Sequence, residues 1–170
     1  MSVSTFTFTA KLYFYLIFLG ALLDENDKKI LRIVQSNAKT SRSHIAEAIG
    51  LSTPSVSERL NKLEERGLIK GYEAIVDRKA LGFDILVFII VISDTSKRFP
   101  QFVERAVEHP NILECHAVMG EGSHILKAVA RNTANLEKLL GEIQSWPGVL
   151  STQSSFALST AKETTKFPIT

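Results

Sequence analysis

Cysteine is nearly absent. Cys115 stands alone in 170 residues, which excludes an intramolecular disulfide framework and every multi-cysteine metal motif. That fits a reducing, cytoplasmic setting. A dominant charge is lacking too: 20 Lys and Arg against 18 Asp and Glu leave a formal net charge of +2. So small a sum cannot argue for nucleic acid, and only the placement of the cations can. The N-terminal apolar stretch Leu12–Leu23 covers about twelve residues, short of the roughly 20 that span a bilayer as a helix, so no membrane partner is expected. There is no P-loop, dinucleotide fingerprint or nucleophile elbow. His44, His109, His116 and His124 have no metal-ligand spacing and no carboxylate cluster beside them. Cys115 and His116 are neighbours that alternate across a strand and so cannot easily grip one ion. Structural histidines, no metal, no cofactor and no catalytic residue are the expectation.

What is present is an ordinary globular composition, 45% hydrophobic and 22% charged, long enough for one medium or two small domains. Residues 1–22 are an apolar extension. We read it as a segment that packs on the domain, pairs with a partner chain or reflects an upstream start codon, with export and disorder as alternatives. Its Phe, Tyr and Thr content also suits a strand. Asp24 opens a first helix with Asp27 in its first turn, Leu23 as a hydrophobic staple, and Ile30, Leu31, Ile33 and Val34 on its buried side. Ile45, Ala46 and Ile49 recur at helical spacing, and Gly50 supplies a left-handed C-cap. Ser52 or Thr53 can cap the next helix, with Pro54 in its first turn and Val56, Leu60 and Leu63 along one apolar face. This is a helix-turn-helix, and its second helix suits the major groove. Lys70-Gly71-Tyr72 reads as a hairpin turn into Glu73–Val76, two short strands making a wing, so residues 23–77 form a winged helix-turn-helix.

The DNA-facing candidates follow from that helix. Ser52, Thr53, Ser55 and Ser57 lie at its N-terminus, where hydroxyls reach phosphates or base edges and the helix end attracts anions. Arg59 and Lys62 supply cations, Asn61 suits a bidentate contact with adenine, and Arg42 suits a backbone clamp. The bland alternatives are capping for Ser52 or Thr53, and a surface pair with Glu58, Glu64 or Glu65 for Arg59.

Residues 78–84 form a linker, and 85–160 alternate regularly. Ile85–Ile92 is a continuous β-rich run that suits a central buried strand. Pro100–Glu108 is a helix, Ile112–Met119 and Ile125–Ala130 are strands joined at Gly120–Ser123, Thr133 caps a second helix, and Val149–Leu158 is the last strand. The order βαββαβ is ferredoxin-like, so the fold class is α+β. His109-Pro110 and Trp146-Pro147 punctuate the two halves alike, each where a helix hands over to a strand. Strand Ile112–Met119 carries apolar residues on both faces, as a self-associating sheet would. Residues 161–170 have no apolar period and read as a mobile tail.

Together LDENDKKIL, IAEAIGLS and SVSERLNKLEERGLIKGY, the βαββαβ region and the Gly-x-Gly hairpin resemble the Lrp/AsnC family, the leucine-responsive and asparagine-responsive regulators. The resemblance covers about Leu23–Ser159. It implies a sequence-specific transcriptional regulator, not an enzyme, with double-stranded DNA as partner. It further implies dimerisation through the sheet, octamers built from dimers, and a small-molecule effector, an amino acid, bound at contacts between dimers. The effector residues implied are Gly120, Glu121, Gly122, Ser123 and His124 of the hairpin, with Thr152 and Ser154 of the last strand. This chain departs from the family hairpin Gly-x-Tyr-Asp: Gly122 holds the aromatic position and Ser123 the acidic one. An anionic anchor for an ammonium group is therefore in question. Two rivals stand beside this reading. One is a ligand-binding module with a vestigial DNA helix. The other resembles sirohaem decarboxylases built on the same two domains, for which His116, His124, Lys127 and Arg131 are the loose candidates.

Overall fold

The computed structural model describes residues 23–94, 99–120 and 122–170. The expectations for the extension 1–22, and the effector candidate Glu121, lie outside the described residues. The chain divides into two compact units. The first ends at Ala74 and also takes in Thr164–Thr170; the second is Ile75–Glu163.

The first unit is built on three helices, α1 (Glu25–Ser36), α2 (Arg42–Ile49) and α3 (Thr53–Glu65). Asp24 caps α1 in a reciprocal box: its Oδ1 accepts from the Asp27 N–H at 2.8 Å, and Asp27 Oδ2 accepts from the Asp24 N–H at 3.4 Å. Gly50 ends α2 at φ 71°, a left-handed conformation that costs glycine nothing sterically, and Leu51 N–H returns to the Ala46 carbonyl. Ser52, not Thr53, caps α3, with Pro54 in the first turn. Ile30, Ile45, Val56, Leu60 and Leu63 close the core, and Leu23 packs against it as a staple would. Each such aliphatic contributes about 1.5–3 kcal/mol by leaving water.

The wing differs from the expectation of two paired strands. Leu68 and Ile69 N–H groups both return to the Leu63 carbonyl, which closes the end of α3 and takes Ile69 into the core. Residues 70–77 then run without any ladder among the described residues, and Ile75 is 89% exposed. Tyr72 Oη donates to Glu64 Oε1 at 2.7 Å, fixing this segment to α3 by a side chain.

Residues 161–170 also depart from expectation. The stretch 164–170 belongs to the first unit. Gln35 holds Phe167 from both sides: the Phe167 N–H donates to Gln35 Oε1 at 2.7 Å, and Gln35 Nε2 donates to the Phe167 carbonyl at 3.3 Å. Arg32 Nε and Nη2 donate to the Ile169 carbonyl at 3.1 and 2.9 Å, and Ile169 packs against the helical core. Main-chain bonds and a single aliphatic leave no periodicity for a sequence pattern to reveal.

The second unit is a four-stranded antiparallel sheet of β1 (Ile85–Ser93), β2 (Ile112–Ala117), β3 (His124–Ala130) and β4 (Val149–Phe156), ordered β2-β3-β1-β4. Helices α4 (Phe99–Glu108) and α5 (Thr133–Gln144) complete the βαββαβ order. Val87, Ile89, Val91, Leu126 and Ala128 are buried with Phe102, Leu136, Leu139 and Ile143 of the helices. The cap of α5 is Asn132, which accepts from the Asn135 N–H at 2.9 Å; Thr133 is the first helical residue instead. The two aromatics of the proline repeat meet, with His109 and Trp146 ring centroids 6.2 Å apart.

The face away from this core carries Phe88 and Ile92 of β1, both exposed, with Ile90 between them. In register with that face, Glu114 pairs with Lys127 and His116 with Ile125. A register shift between Ile112 and Glu114 turns Ile112 to the core side, so β2 does not alternate as the sequence suggested. Residues 77–83 form turns that pack on this second unit, with the Arg131 guanidinium 5.0 Å from the Phe83 ring centroid.

Candidate nucleic-acid interface and effector loop

Helix α3 buries Val56, Leu60 and Leu63, which turns Thr53, Glu58, Asn61 and Lys62 to solvent. Its hydroxyls divide by role. Ser52 Oγ accepts from the Ser55 N–H at 3.3 Å and lies 2.9 Å from Ser55 Oγ, so this pair serves the cap. Ser57 Oγ donates back to the Thr53 carbonyl at 3.0 Å, as serine does inside helices. Thr53 stays exposed in the first turn, where N–H groups of the helix end attract phosphate. Lys62 pairs with Glu58 one turn earlier at 2.7 Å, an exposed bond that a phosphate can displace at little cost. Arg42, first residue of α2, is exposed as well.

Arg59 has another engagement. Its Nη1 donates to Asp24 Oδ2 at 2.6 Å and to Asp27 Oδ1 at 2.7 Å, joining α3 to the cap of α1. These are not the glutamates of its own helix that the sequence offered as partners. The Asp27 side chain is only 10% exposed, so the guanidinium compensates a carboxylate largely withdrawn from water. The two hydrogen bonds raise the Arg59 pKa, and the Asp27 N–H first, then Arg59, hold Asp24 below the usual carboxylate range. Tyr72 is pushed up to about 12 by burial and by its Glu64 partner, so its hydroxyl stays protonated as a donor.

Ser123 and His124, at the end of the hairpin, turn inward. Ser123 N–H donates to the Val91 carbonyl at 2.8 Å, and Ser123 Oγ donates to the same oxygen at 3.0 Å. The same hydroxyl lies 2.7 Å from Ser93 Oγ and 3.1 Å from His124 Nδ1. The polar knot at the end of β1 is therefore Ser93, Ser123 and His124. Ser93 escaped the sequence reading because nothing local links it to a residue thirty positions away. His124 is 1% exposed, on the core side with its ring 4.6 Å from Phe102, and burial lowers its pKa. Gly122 sits at φ +107° where an added Cβ would stand 2.5 Å from Ile90 Cγ2, so no aromatic fits that position without movement of β1. Gly120 is exposed. Thr152 and Ser154 face Val91 and Ile89 across the other edge of β1, and the Thr152 hydroxyl accepts from Gln144 Nε2 at 3.0 Å. Strand β1 thus separates the hairpin candidates from the β4 candidates within one chain. A groove of about 490 Å³ lies elsewhere, lined by Leu136, Leu140, Gly141, Gln144 and Phe156, and none of the effector candidates lines it.

The four residues of the decarboxylase rival do not converge. His116 and Lys127 share the open face with Glu114, which lies 3.3 Å from the imidazole and 3.1 Å from the ammonium. His124 is on the core side, and Arg131 covers Phe83. No group of three or more His, Cys, Asp or Glu among the described residues could hold a metal ion. No helix among them is long and apolar enough to cross a membrane.

A winged helix-turn-helix DNA-binding model matches residues 23–70, and an Lrp/AsnC ligand binding domain model matches residues 85–167. The chain is 37% identical over 147 residues to the HTH-type transcriptional regulator FL11 of Pyrococcus horikoshii, covering 86% of this chain and 97% of that one. The chain belongs to the Lrp/AsnC family. It is 34% identical to the leucine-responsive regulatory protein of Rhizobium meliloti, over 71% of this chain and 78% of that one. Among solved structures, a Neisseria meningitidis transcriptional regulator in complex with L-Met superposes with a TM-score of 0.82 at 30% identity, covering 86% of this chain and 96% of that one. This Lrp/AsnC protein is thus a DNA-binding transcriptional regulator with a ligand-binding domain, and its relatives are named as regulators, not enzymes.

Proposed function

We propose that this Lrp/AsnC protein works in the cytoplasm as a sequence-specific regulator of transcription, at least dimeric, whose second unit senses an amino acid. The observation that carries the DNA half is the exposed side of α3. Thr53, Asn61 and Lys62 stand clear of the core on a helix whose other side is locked into it. We assign phosphate and base contacts to Thr53, Asn61 and Lys62, with Arg42 as a backbone clamp and Ser55 and Ser57 at the margin. Ser52 and Arg59 act beneath them, as cap and as interhelical clamp.

Self-association is supported by the open sheet face, where Phe88 and Ile92 remain exposed on a central strand. A second sheet would remove that apolar area from water. Amino-acid sensing is supported by the neighbouring Neisseria protein bound to L-Met. In this chain the Ser123 hydroxyl is turned inward, so among the described hairpin residues Gly120 and Gly122 offer backbone groups to an effector. An effector acts only through unequal affinity for two states of the protein. Selection of bound DNA from a random duplex pool, with and without a mixture of the common amino acids, tests the whole reading. Enrichment of one motif whose affinity or protein stoichiometry shifts with the mixture is expected. A pool that stays random ends the regulator reading, and a motif indifferent to every amino acid ends the sensing part.

A further inference from the structure

The chain crosses between its two units twice, once at Ala74–Ile75 and again at Glu163–Thr164. We propose that the outer side of α1 is a peptide-docking site, and that its ligand is this chain's own segment 164–170. The hydrogen-bonding pieces of such a site are on α1. Gln35 presents both halves of its amide to one residue, accepting from the Phe167 N–H and donating to the Phe167 carbonyl. A neighbouring strand would treat an extended residue in the same way. Arg32, one helical turn earlier, forks its Nε and Nη2 onto the Ile169 carbonyl two residues further along. The residue whose carbonyl Arg32 holds also packs its side chain on the helical core. Ile169 packs against the three-helix cluster that includes Ile30, Ile45 and Val56, whereas Phe167 is 78% exposed and serves through its main chain.

The recognition is therefore of main chain plus one aliphatic anchor. The start of the segment is held as well: Glu163 Oε1 accepts from Lys127 Nζ, on the open face of the second unit's own sheet. Lys127 is bonded to Glu114 at the same time, and these hydrogen bonds raise its pKa, Glu163 first. The ligand segment thus begins at an ion pair belonging to one unit and ends in a socket belonging to the other. Within the first unit, the main-chain bonds of Phe167 and Ile169 go to Gln35 and Arg32 of α1 and not to Thr53, Asn61 or Lys62 of α3.

Hydrogen exchange on the full chain tests the proposal. The Phe167 amide should exchange at least about tenfold more slowly than in a synthetic peptide of residues 162–170. Gln35→Ala and Ile169→Asp should each return it to the peptide rate, with the far-UV spectrum of the protein retained. A labelled peptide of residues 162–170 should then bind the Ile169→Asp chain, whose socket is empty, and bind the Ile169→Asp, Gln35→Ala double variant at least tenfold more weakly. A Phe167 amide that exchanges at the peptide rate in the native chain overturns the proposal. So does protection indifferent to Gln35→Ala, or peptide binding that ignores Gln35. Protection that vanishes on hundredfold dilution would mean that a second copy supplies the segment, and would overturn docking within one chain.

Discussion

Replacing Arg59 by Ala separates two roles that the same cation can have. In the structure Arg59 bridges Asp24 and Asp27, and the three side chains are 30%, 51% and 10% exposed. Removing one partner of a fully buried pair costs about 3–5 kcal/mol, and an exposed pair is worth about 0–1 kcal/mol. The Asp24 arm is at the surface end of that range and the Asp27 arm near the buried end. We therefore expect Arg59→Ala to destabilise the first unit by about 2 kcal/mol. For a unit of this size that lowers its melting temperature by roughly 8–16 °C, at about 4–8 °C per kcal/mol. Asp24 sharpens the expectation, because its pKa is depressed in the fold. Its contribution is present above the unfolded value of 3.8 and is lost as pH falls through the folded value. The difference between native and variant should accordingly shrink in acid. Urea unfolding at pH 7 and at pH 3, with Asp27→Asn completing a double-mutant cycle, measures each quantity. Duplex binding across salt supplies the opposite reading: a phosphate contact at Arg59 would reduce the slope of log K against log salt by about one. A variant of native stability with that reduced slope would refute the clamp and return Arg59 to the DNA interface.

Other outcomes follow from the same geometry. Lys62→Ala should leave stability within about 0.5 kcal/mol and reduce the salt slope by about one, checked by gel shift; an unchanged slope removes Lys62 from the footprint. Gly122→Ala combines a left-handed backbone with a 2.5 Å contact to Ile90, so it should destabilise the second unit by about 1–3 kcal/mol in thermal unfolding. A neutral result would mean that the hairpin is free to move. His124 has its pKa lowered by burial from 6.5, so the unfolded chain binds the proton first as pH falls. Its contribution is complete above pH 6.5 and declines below it, by at most about 1.4 kcal/mol per pH unit. Stability measured from pH 7.5 to 5.5 should fall less steeply in His124→Phe than in the native chain; parallel curves would sink the assignment.

Features written in local chemistry were legible from the chain alone. The Asp24 cap, the Gly50 stop, the Pro54 first turn and the strand at Ile85 each depend on neighbours within a few residues. Other features depend on partners that only the fold brings near. Arg59 finds Asp24 thirty-five positions away, and Ser123 finds Ser93 thirty positions away. Reading Arg59 as a DNA cation was sound for an isolated helix, since its own helix offers only exposed glutamates. Thr133 lost the cap to Asn132 because adjacent capping residues compete and the backbone turn decides between them. The wing shows no ladder: Ile69, just before the expected turn, is drawn into the helical core, and residues 70–77 follow without strand pairing. The effector residues were the least legible, since Ser123 has the chemistry of a ligand contact but points its hydroxyl at a main-chain carbonyl.

The packing of Ile169 against the first three helices has a consequence for synthesis. A ribosome makes the N-terminal helices first, yet the last apolar piece of their core emerges only after the entire second unit. Any product that stops early therefore carries a DNA-reading helix on an unfinished core. Such fragments should be the ones cellular proteases clear fastest, which links the supply of competent regulator to complete translation.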